Sequence, residues 1–275
     1  NNTTKWEQSM TQSTQKESVA ITGRVESAIN FLSTKDLREF YLTNGYVSVK
    51  NLIPNELLED IQNDLNKCFE EFSTGGPTNY DSGVIYLNEN DKSKLHELHI
   101  VTSKITSITA LTKIFSETCK VLGKSKSPVL EIASCYLISI PKDKRLTYDF
   151  HQESNYMKGF GDIFNFHYPI FRKSTTFNGT MSILPKTHTL GTLDYRKTRL
   201  ANNSYTDLIP TNINEIKNNY EEVHCELELG DCVIFHKDLI HKSNVNHSDL
   251  CRPVGVSRLT QSLNGDWINR PPEEL

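Results

Sequence analysis

The period of the hydrophobic pattern changes near residue 129, and this change limits the possible folds more than any other feature. Before it, apolar residues recur at intervals of three and four over 54–72 and 103–121, which predicts two amphipathic helices. After it come short segments rich in β-branched and aromatic residues, separated by turn pairs such as Asn178-Gly179. Helices followed by many short strands predict an antiparallel barrel or sandwich with N-terminal helices packed against it.

The start of the chain adds smaller elements to this plan. Residues 1–33 are polar and predict an N-terminal arm, with a helix over about 18–32. A short helix from about residue 36 should end at Asn44-Gly45, because glycine tolerates the left-handed backbone of a helix stop, and a strand should follow at 46–49. The segment FSTGGPTNYDSG (72–83) is typical of a loop.

The strand-rich part contains one long interruption. Residues 191–222 are charged and rich in Asn, which predicts a long loop with a short helix near 213–220. No internal repeat is visible, so we expect one domain over 34–275, with a helical layer over about 34–125 and a β core over about 129–262.

Composition argues against several classes of protein. A net charge of −4 and no dense run of Lys or Arg give no electrostatic reason for nucleic-acid binding. The six cysteines form no C-x-x-C pair, so we expect free thiols and a reducing compartment. No apolar run approaches the roughly 18 residues that span a bilayer, and no secretory signal opens the sequence. We therefore expect a cytoplasmic protein that acts away from membranes.

Two histidine-containing segments suggest a metal site. In FHQESNY (150–156), His151 and Glu153 are two residues apart and would share one face of a strand. His241, in a later segment, could complete a set of two imidazoles and one carboxylate, which suits non-haem Fe(II) because it leaves three positions open. A chain with nine histidines also contains H-x-E by chance, so surface histidines remain an alternative on spacing alone.

Four sequence blocks, in order, carry a family resemblance. They are FHQESNY (150–156), NGTMSILPKTHTLG (178–191), LELGDCVIFHKDLIHKSNVN (227–246) and CRPVGVSRLTQ (251–261). Together they resemble the phytanoyl-CoA dioxygenase family of Fe(II)/2-oxoglutarate oxygenases. The lead-in FYLTNGYVSVKNLIPNELLEDIQNDL is similar as well, so the resemblance covers about 36–261. It implies a double-stranded β-helix, or jelly-roll, core.

The resemblance also implies a set of site residues. Fe(II) would be held by His151, Glu153 and His241. Arg252, eleven residues after His241, would pair with the far carboxylate of 2-oxoglutarate, and a guanidinium suits this role because it meets a carboxylate with two donors. Further contacts to the co-substrate would come from Ser243 and Tyr148, and contacts to the substrate from Gln152, Asn155 and Arg258.

One departure from the family pattern concerns the carboxylate. The family's usual pair is H-x-D, and here it is H-x-E, which adds one methylene at Glu153. The donor and its charge are retained, whereas Ala or Gly would free a position for halide, so the pattern disfavours halogenation. A jelly-roll that binds a ligand without iron chemistry remains an alternative.

Two rival ligand sets are weaker. His236 lies five residues before His241, but it is sixteen residues from Arg252 rather than eleven, so His241 is the preferred ligand. A zinc site would draw on His224, Cys225, Cys232 and His236, whose spacing fits no common zinc motif.

The expected reaction is a hydroxylation that consumes 2-oxoglutarate and O2 and releases succinate and CO2. Polar candidates, which include Arg172 besides those above, favour a small polar metabolite as substrate. Desaturation, cyclisation or epimerisation by the same iron chemistry are the alternatives.

Overall fold

A computed structural model describes residues 24–25, 34–72, 76–77, 79–102, 106–123, 129–144, 147–198 and 206–261. The helices are α1 (Thr34–Asn44), α2 (Asn55–Phe72), α3 (Tyr80–Asn90), α4 (Lys92–Thr102), α5 (Thr106–Leu122), α6 (Glu153–Tyr156) and α7 (Ile213–Asn219), with a 3-10 turn at Thr187–Leu190. The strands are β1 (Arg24–Val25), β2 (Tyr46–Val49), β3 (Val129–Ser139), β4 (Asp162–Pro169), β5 (Ser182–Ile183), β6 (Tyr195–Thr198), β7 (Asp207–Pro210), β8 (Val223–Cys225), β9 (Cys232–His236), β10 (His241–Lys242) and β11 (Arg252–Gln261).

Within the described residues the strands form two main sheets and one hairpin. The major sheet has the order β2-β9-β4-β11-β3 and is antiparallel throughout. The minor sheet has the order β1-β8-β5-β10, and β6 pairs with β7. The core is a jelly roll, as the family resemblance implies, and the helices precede it, as the change of hydrophobic period predicts.

Strand β4 shows why one face of the major sheet binds the helices and the other faces the minor sheet. Phe164, Phe166 and Tyr168 alternate along the strand and belong to the core shared with the helices. The ring of Phe166 stacks on Phe115 of α5, with centroids 4.2 Å apart. Each such buried phenyl ring contributes roughly 1.5–3 kcal/mol, and truncation of Phe166 to Ala would cost about 3–5 kcal/mol. The intervening residues point to the opposite face.

The prediction of a loop over 72–83 is wrong for its last residues, because α3 begins at Tyr80. Asn79 caps this helix by accepting a hydrogen bond from the Ser82 backbone N–H at 2.9 Å. Gly83, which suggests a turn in the sequence, instead lets α3 approach Phe69, since a Cβ there would lie 1.7 Å from the Phe69 ring.

The long loop expected over 191–222 is also wrong in part. Its short helix is confirmed as α7, but the segment additionally contains the antiparallel hairpin of β6 and β7. Residues 199–205 between these strands lie outside the described part of the chain. The four strand residues Tyr195–Thr198 are polar or charged in three positions, so they lack the apolar alternation that marks a strand.

The N-terminal arm falls mostly outside the described residues. Arg24 and Val25 form β1, parallel to β8, so the helix expected over 18–32 is wrong at these two positions. One hydrophobic cluster runs from Leu37 in α1 to Leu259 in β11 and joins helices to the major sheet. On this basis we propose that the helical layer and the β core form a single domain.

All six cysteines lie in described segments and are free thiols, as expected. Among the described helices, none is long and apolar enough to cross a membrane.

Candidate metal centre

His151 and His241 are brought together by the backbone. They form an isolated antiparallel bridge, in which each backbone N–H donates to the other residue's carbonyl at 2.9 and 3.1 Å. We expected Glu153 to lie on the same strand as His151. This expectation is wrong, because Glu153 begins the short helix α6. The carboxylate therefore reaches the histidines from the first turn of a helix rather than from a shared strand face.

The three side chains converge within a small buried space. Their potential ligand atoms all lie within 4.8 Å of one another. Oε1 of Glu153 lies 3.5 Å from Nε2 of His241 and 3.9 Å from Nε2 of His151. Each of the three residues is 6% exposed, so solvent competes little for these atoms.

Both imidazoles are oriented by hydrogen bonds from their other nitrogen. Nδ1 of His151 lies 2.6 Å from the carbonyl of Asp149, and Nδ1 of His241 lies 2.9 Å from the carbonyl of Leu239. A carbonyl can only accept, so each Nδ1 carries a proton and each Nε2 is the nitrogen that can offer a lone pair to a metal. Burial, and then the neighbouring His241, lower the pKa of His151 to about 3, which keeps this imidazole neutral.

Glu153 is held as a carboxylate by Arg258. Nε of Arg258 donates to Oε2 at 2.9 Å, and Nη2 donates to Oε1 at 3.2 Å. Burial alone would raise the pKa of Glu153, but the charge of the Arg258 guanidinium, its two hydrogen bonds and the neighbouring His241 hold that pKa well below its usual value. Breaking a buried pair of this kind costs about 3–5 kcal/mol, because it leaves an uncompensated charge.

Arg252 occupies the other side of the same cavity. Its Nε donates to the carbonyl of Asn178 at 3.0 Å, and its Nη2 donates to that of Gly179 at 2.7 Å. Its Nη1 is buried and has no hydrogen-bond partner among the described residues. Burial lowers the pKa of Arg252 to about 10, so the guanidinium is charged at neutral pH, with one donor group available for an anion.

A cavity of about 350 Å³ lies between these groups. It is lined by His151, Glu153, His241, Arg252 and Arg258, and also by two predicted contacts to the co-substrate, Tyr148 and Ser243. Burial, and then the charge of Glu153, raise the pKa of Tyr148 to about 12, so this phenol is neutral. The structure thus brings seven residues that were predicted from the sequence to one cavity.

Two predicted substrate residues lie elsewhere. Gln152 is fully buried and binds three backbone groups: its amide donates to the carbonyls of Gly191 and Asp238, and its oxygen accepts from the N–H of Leu193. Asn155 is buried and does not line the cavity.

Two further sequence candidates also lie outside the cavity. Arg172 forms an ion pair with Asp81 of α3, at 2.9 and 2.5 Å. His236 lies 3.7 Å from carboxylate oxygens of Asp162 and Asp238, and it is not part of the three-residue set.

Several residues that line the cavity were not singled out from the sequence. They include Met157, Met181, Phe235 and Asn244. A period of two along β11 places Arg252, Val254, Val256 and Arg258 on the cavity face, and this alternation was visible in the sequence. The other residues come from segments whose direction no local pattern indicates.

The donor set fits a ferrous ion in its chemistry. It offers two imidazole nitrogens and one carboxylate oxygen, the set that non-haem Fe(II) sites use. Adjacent ligands of an octahedral ion with bonds of about 2.1 Å lie about 3 Å apart, so both nitrogen–oxygen distances exceed that value by less than about 1 Å. The unpartnered Nη1 of Arg252 fits the carboxylate of a second ligand in the same cavity.

A jelly-roll core with this donor set is the arrangement of non-haem iron oxygenases, so fold and site together indicate that class. The family model described as "Phytanoyl-CoA dioxygenase (PhyH)" matches residues 41–254, well over half of the chain. The chain belongs to the phytanoyl-CoA dioxygenase family, and the resemblance of its four sequence blocks is confirmed. This membership supports oxygenase chemistry of the iron and 2-oxoglutarate type.

A curated relative is the human protein "Phytanoyl-CoA dioxygenase, peroxisomal". It is 26% identical over 229 residues, and the match covers 79% of this chain and 65% of the human protein, just under two thirds of its length.

Solved structures show the same fold at lower identity. The non-heme monooxygenase ThoJ has a TM-score of 0.58 and 15% identity, with 82% of this chain and 77% of ThoJ covered. The epimerase SnoN, in complex with Fe3+, alpha ketoglutarate and nogalamycin RO, has a TM-score of 0.57 and 14% identity, with 88% and 91% covered.

Proposed function

We propose that this protein is an Fe(II)- and 2-oxoglutarate-dependent dioxygenase that hydroxylates a small molecule. The observation that carries the proposal is the convergence on one cavity of two imidazoles, a carboxylate and a buried guanidinium with an unpartnered nitrogen. A purely structural cluster would have no reason to leave a buried arginine donor unsatisfied, since this costs about 1–3 kcal/mol.

His151, Glu153 and His241 would hold the iron, and Arg252 would hold the far carboxylate of 2-oxoglutarate. When bound, the ferrous ion and 2-oxoglutarate supply the oxidising power, drawn from O2 with release of succinate and CO2. The protein's contribution is to bind and orient the reactants and to exclude water. The carbonyls of Asp149 and Leu239 fix the imidazole orientations, and the buried walls of the cavity limit access of solvent.

Ser243 and Tyr148 would complete the co-substrate site. Both line the cavity that Arg252 enters. A hydroxyl donates a hydrogen bond to a carboxylate without adding charge, and the raised pKa of Tyr148 keeps its proton available for this purpose.

The substrate is proposed only as a small molecule. A polar metabolite stays a prediction, because of the polar substrate candidates only Arg258 lines the cavity and it is engaged by Glu153. A cytoplasmic location stays a prediction as well. The free cysteines accord with it, while the human relative's name places that protein in the peroxisome.

An anaerobic titration tests the proposal. Fe(II) and then 2-oxoglutarate are added to the protein, and we expect a weak visible charge-transfer band that requires both. The His241→Ala variant should give no band, because one of three ligands is lost. A missing band in the wild-type protein, together with no succinate release in air across a panel of metabolites, would favour a ligand-binding jelly roll without iron chemistry.

Epimerisation or ring closure is the second candidate, favoured by the likeness to the epimerase SnoN. Mass spectrometry of the product separates the two: hydroxylation adds one oxygen atom, whereas desaturation or ring closure removes two hydrogens and epimerisation changes no mass.

A further inference from the structure

The two oxygens of the Glu153 carboxylate lie in different surroundings. Oε1 faces both imidazoles, at 3.5 Å from His241 and 3.9 Å from His151. Oε2 points away from them and accepts the shorter of the two Arg258 hydrogen bonds, at 2.9 Å from Nε. Oε1 also accepts a hydrogen bond from Nη2 of Arg258, at 3.2 Å, so the arginine holds both oxygens while only Oε1 faces the proposed metal position.

Arg258 is itself held in place by the major sheet. It lies in β11 between Asn165 of β4 and Ala133 of β3, next to an irregularity in the β11–β3 register. Its Nη1 lies 4.0 Å from the sulfur of Cys135, and its other two nitrogens bind Glu153. Since each nitrogen of the guanidinium has a protein contact, a role in orienting Glu153 accounts for this residue better than a contact to substrate.

We propose that Arg258 is a positioning residue that anchors Oε2 of Glu153, so that this glutamate ligates the metal through Oε1 alone. The inference rests on the proposed function and extends it. It also gives a reason for tolerating Glu where the family pattern has Asp, because the extra methylene is what carries the carboxylate to the arginine. A glutamate has one more torsion than an aspartate, so an anchor matters more for it.

The contact between Arg258 and Glu153 would affect how many coordination positions of the metal stay free for 2-oxoglutarate. A carboxylate that is free to turn can chelate a metal through both oxygens, as carboxylates commonly do. Chelation would occupy one of the three positions that a set of two histidines and one carboxylate leaves open. Because 2-oxoglutarate would need two of these positions, loss of the anchor should interfere with co-substrate binding rather than with metal binding.

The proposal therefore predicts that Arg258→Met keeps the affinity for Co(II) but loses affinity for 2-oxoglutarate. This variant keeps an apolar stem of similar girth and removes every donor. We expect it to bind Co(II) at least as tightly as the wild-type protein, because a buried carboxylate without its arginine gains more from a cation. We expect the affinity of the Co(II)-loaded variant for 2-oxoglutarate to fall at least about tenfold, in line with other changes to groups that orient metal ligands.

The experiment uses the purified protein loaded with Co(II) without oxygen. The visible d–d absorption of Co(II) reports both its affinity and the change in coordination that chelation would cause, and a second titration with 2-oxoglutarate follows. Arg258→Lys keeps one donor and the charge, so it should recover most of the 2-oxoglutarate affinity. Arg172→Met, which removes an arginine–carboxylate pair outside the cavity, should leave both affinities unchanged.

Each outcome decides the question. An unchanged 2-oxoglutarate affinity or an unchanged Co(II) spectrum in Arg258→Met would overturn the proposal. A parallel loss of both affinities would also overturn it, since it would indicate collapse of the site. If that variant does not fold, Arg258→Gln replaces it, because its amide is too short to reach Glu153, and the same results are expected. Failure of the wild-type protein to bind Co(II) or 2-oxoglutarate would instead contradict the proposed function.

Discussion

Replacement of Arg252 by Gln tests the co-substrate anchor most directly. The guanidinium is buried, two of its nitrogens bind the carbonyls of Asn178 and Gly179, and Nη1 remains without a partner among the described residues. We expect Nη1 to meet the far carboxylate of 2-oxoglutarate. Gln is shorter and neutral, so the variant loses both this hydrogen bond and the charge.

The size of the effect follows from the type of contact. A hydrogen bond between charged groups contributes about 1.5–3 kcal/mol, and each 1.4 kcal/mol corresponds to a tenfold change in affinity. The contact would be buried, at a residue that is 5% exposed, so screening by solvent is slight. We therefore expect the 2-oxoglutarate affinity to fall by roughly 10- to 150-fold, while the three proposed metal ligands are left in place.

The assay is a titration of the Co(II)-loaded protein with 2-oxoglutarate, preceded by measurement of the Co(II) affinity itself. Arg172→Gln is the matched control, because it also removes a guanidinium, one that is partly buried and pairs with Asp81 outside the cavity. Both variants should lose stability, whereas only Arg252→Gln should lose 2-oxoglutarate affinity. A 2-oxoglutarate affinity within twofold of the wild-type value, or an equal loss in both variants, would refute the assignment of Arg252.

Three other predictions concern the ligands and the frame that holds them. His241→Ala should weaken Co(II) binding by more than about 100-fold, whereas His236→Ala should leave it unchanged, as absorption titrations can measure. Gln152→Ala should lower the free energy of unfolding by about 2–4 kcal/mol in urea, because three buried backbone groups lose their partner. Gly255→Ala should cost about 1–3 kcal/mol by the same measurement, since the new Cβ would lie 2.1 Å from the ring of Tyr168.

A different result would refute each of these three predictions. Weaker Co(II) binding in His236→Ala than in His241→Ala would mean that His236, and not His241, is the metal ligand. A Gln152→Ala protein as stable as the wild type would mean that its contacts are replaced by water. For Gly255→Ala, addition of Tyr168→Leu should cost less than the sum of the two single changes, because the ring that causes the clash is gone. Simple additivity would rule out that clash.

The order of elements and the membership of the site were largely present in the sequence. Helical spacing over 54–72 and 103–121 predicts α2 and α5 closely, because a long amphipathic period is a local property. The donor residues His151, Glu153 and His241 were also identifiable, because the four sequence blocks that contain them and Arg252 resemble those of a known family. Helix α3 was missed because Gly83 serves packing against Phe69, which no local pattern reveals.

The orientation of the site was decided by the tertiary structure alone. Glu153 reaches the histidines from a helix, and Arg258, 105 residues later, donates hydrogen bonds to both oxygens of its carboxylate. Gln152, which lies between two proposed ligands in the sequence, points instead to backbone groups near residues 191 and 238. A local pattern determines which face of a strand a residue occupies, but the pairing of distant strands determines what that face meets. For this reason the sequence could name the proposed ligands, and only the packing of β11 against β3 and β4 could bring Arg258 to the carboxylate of one of them.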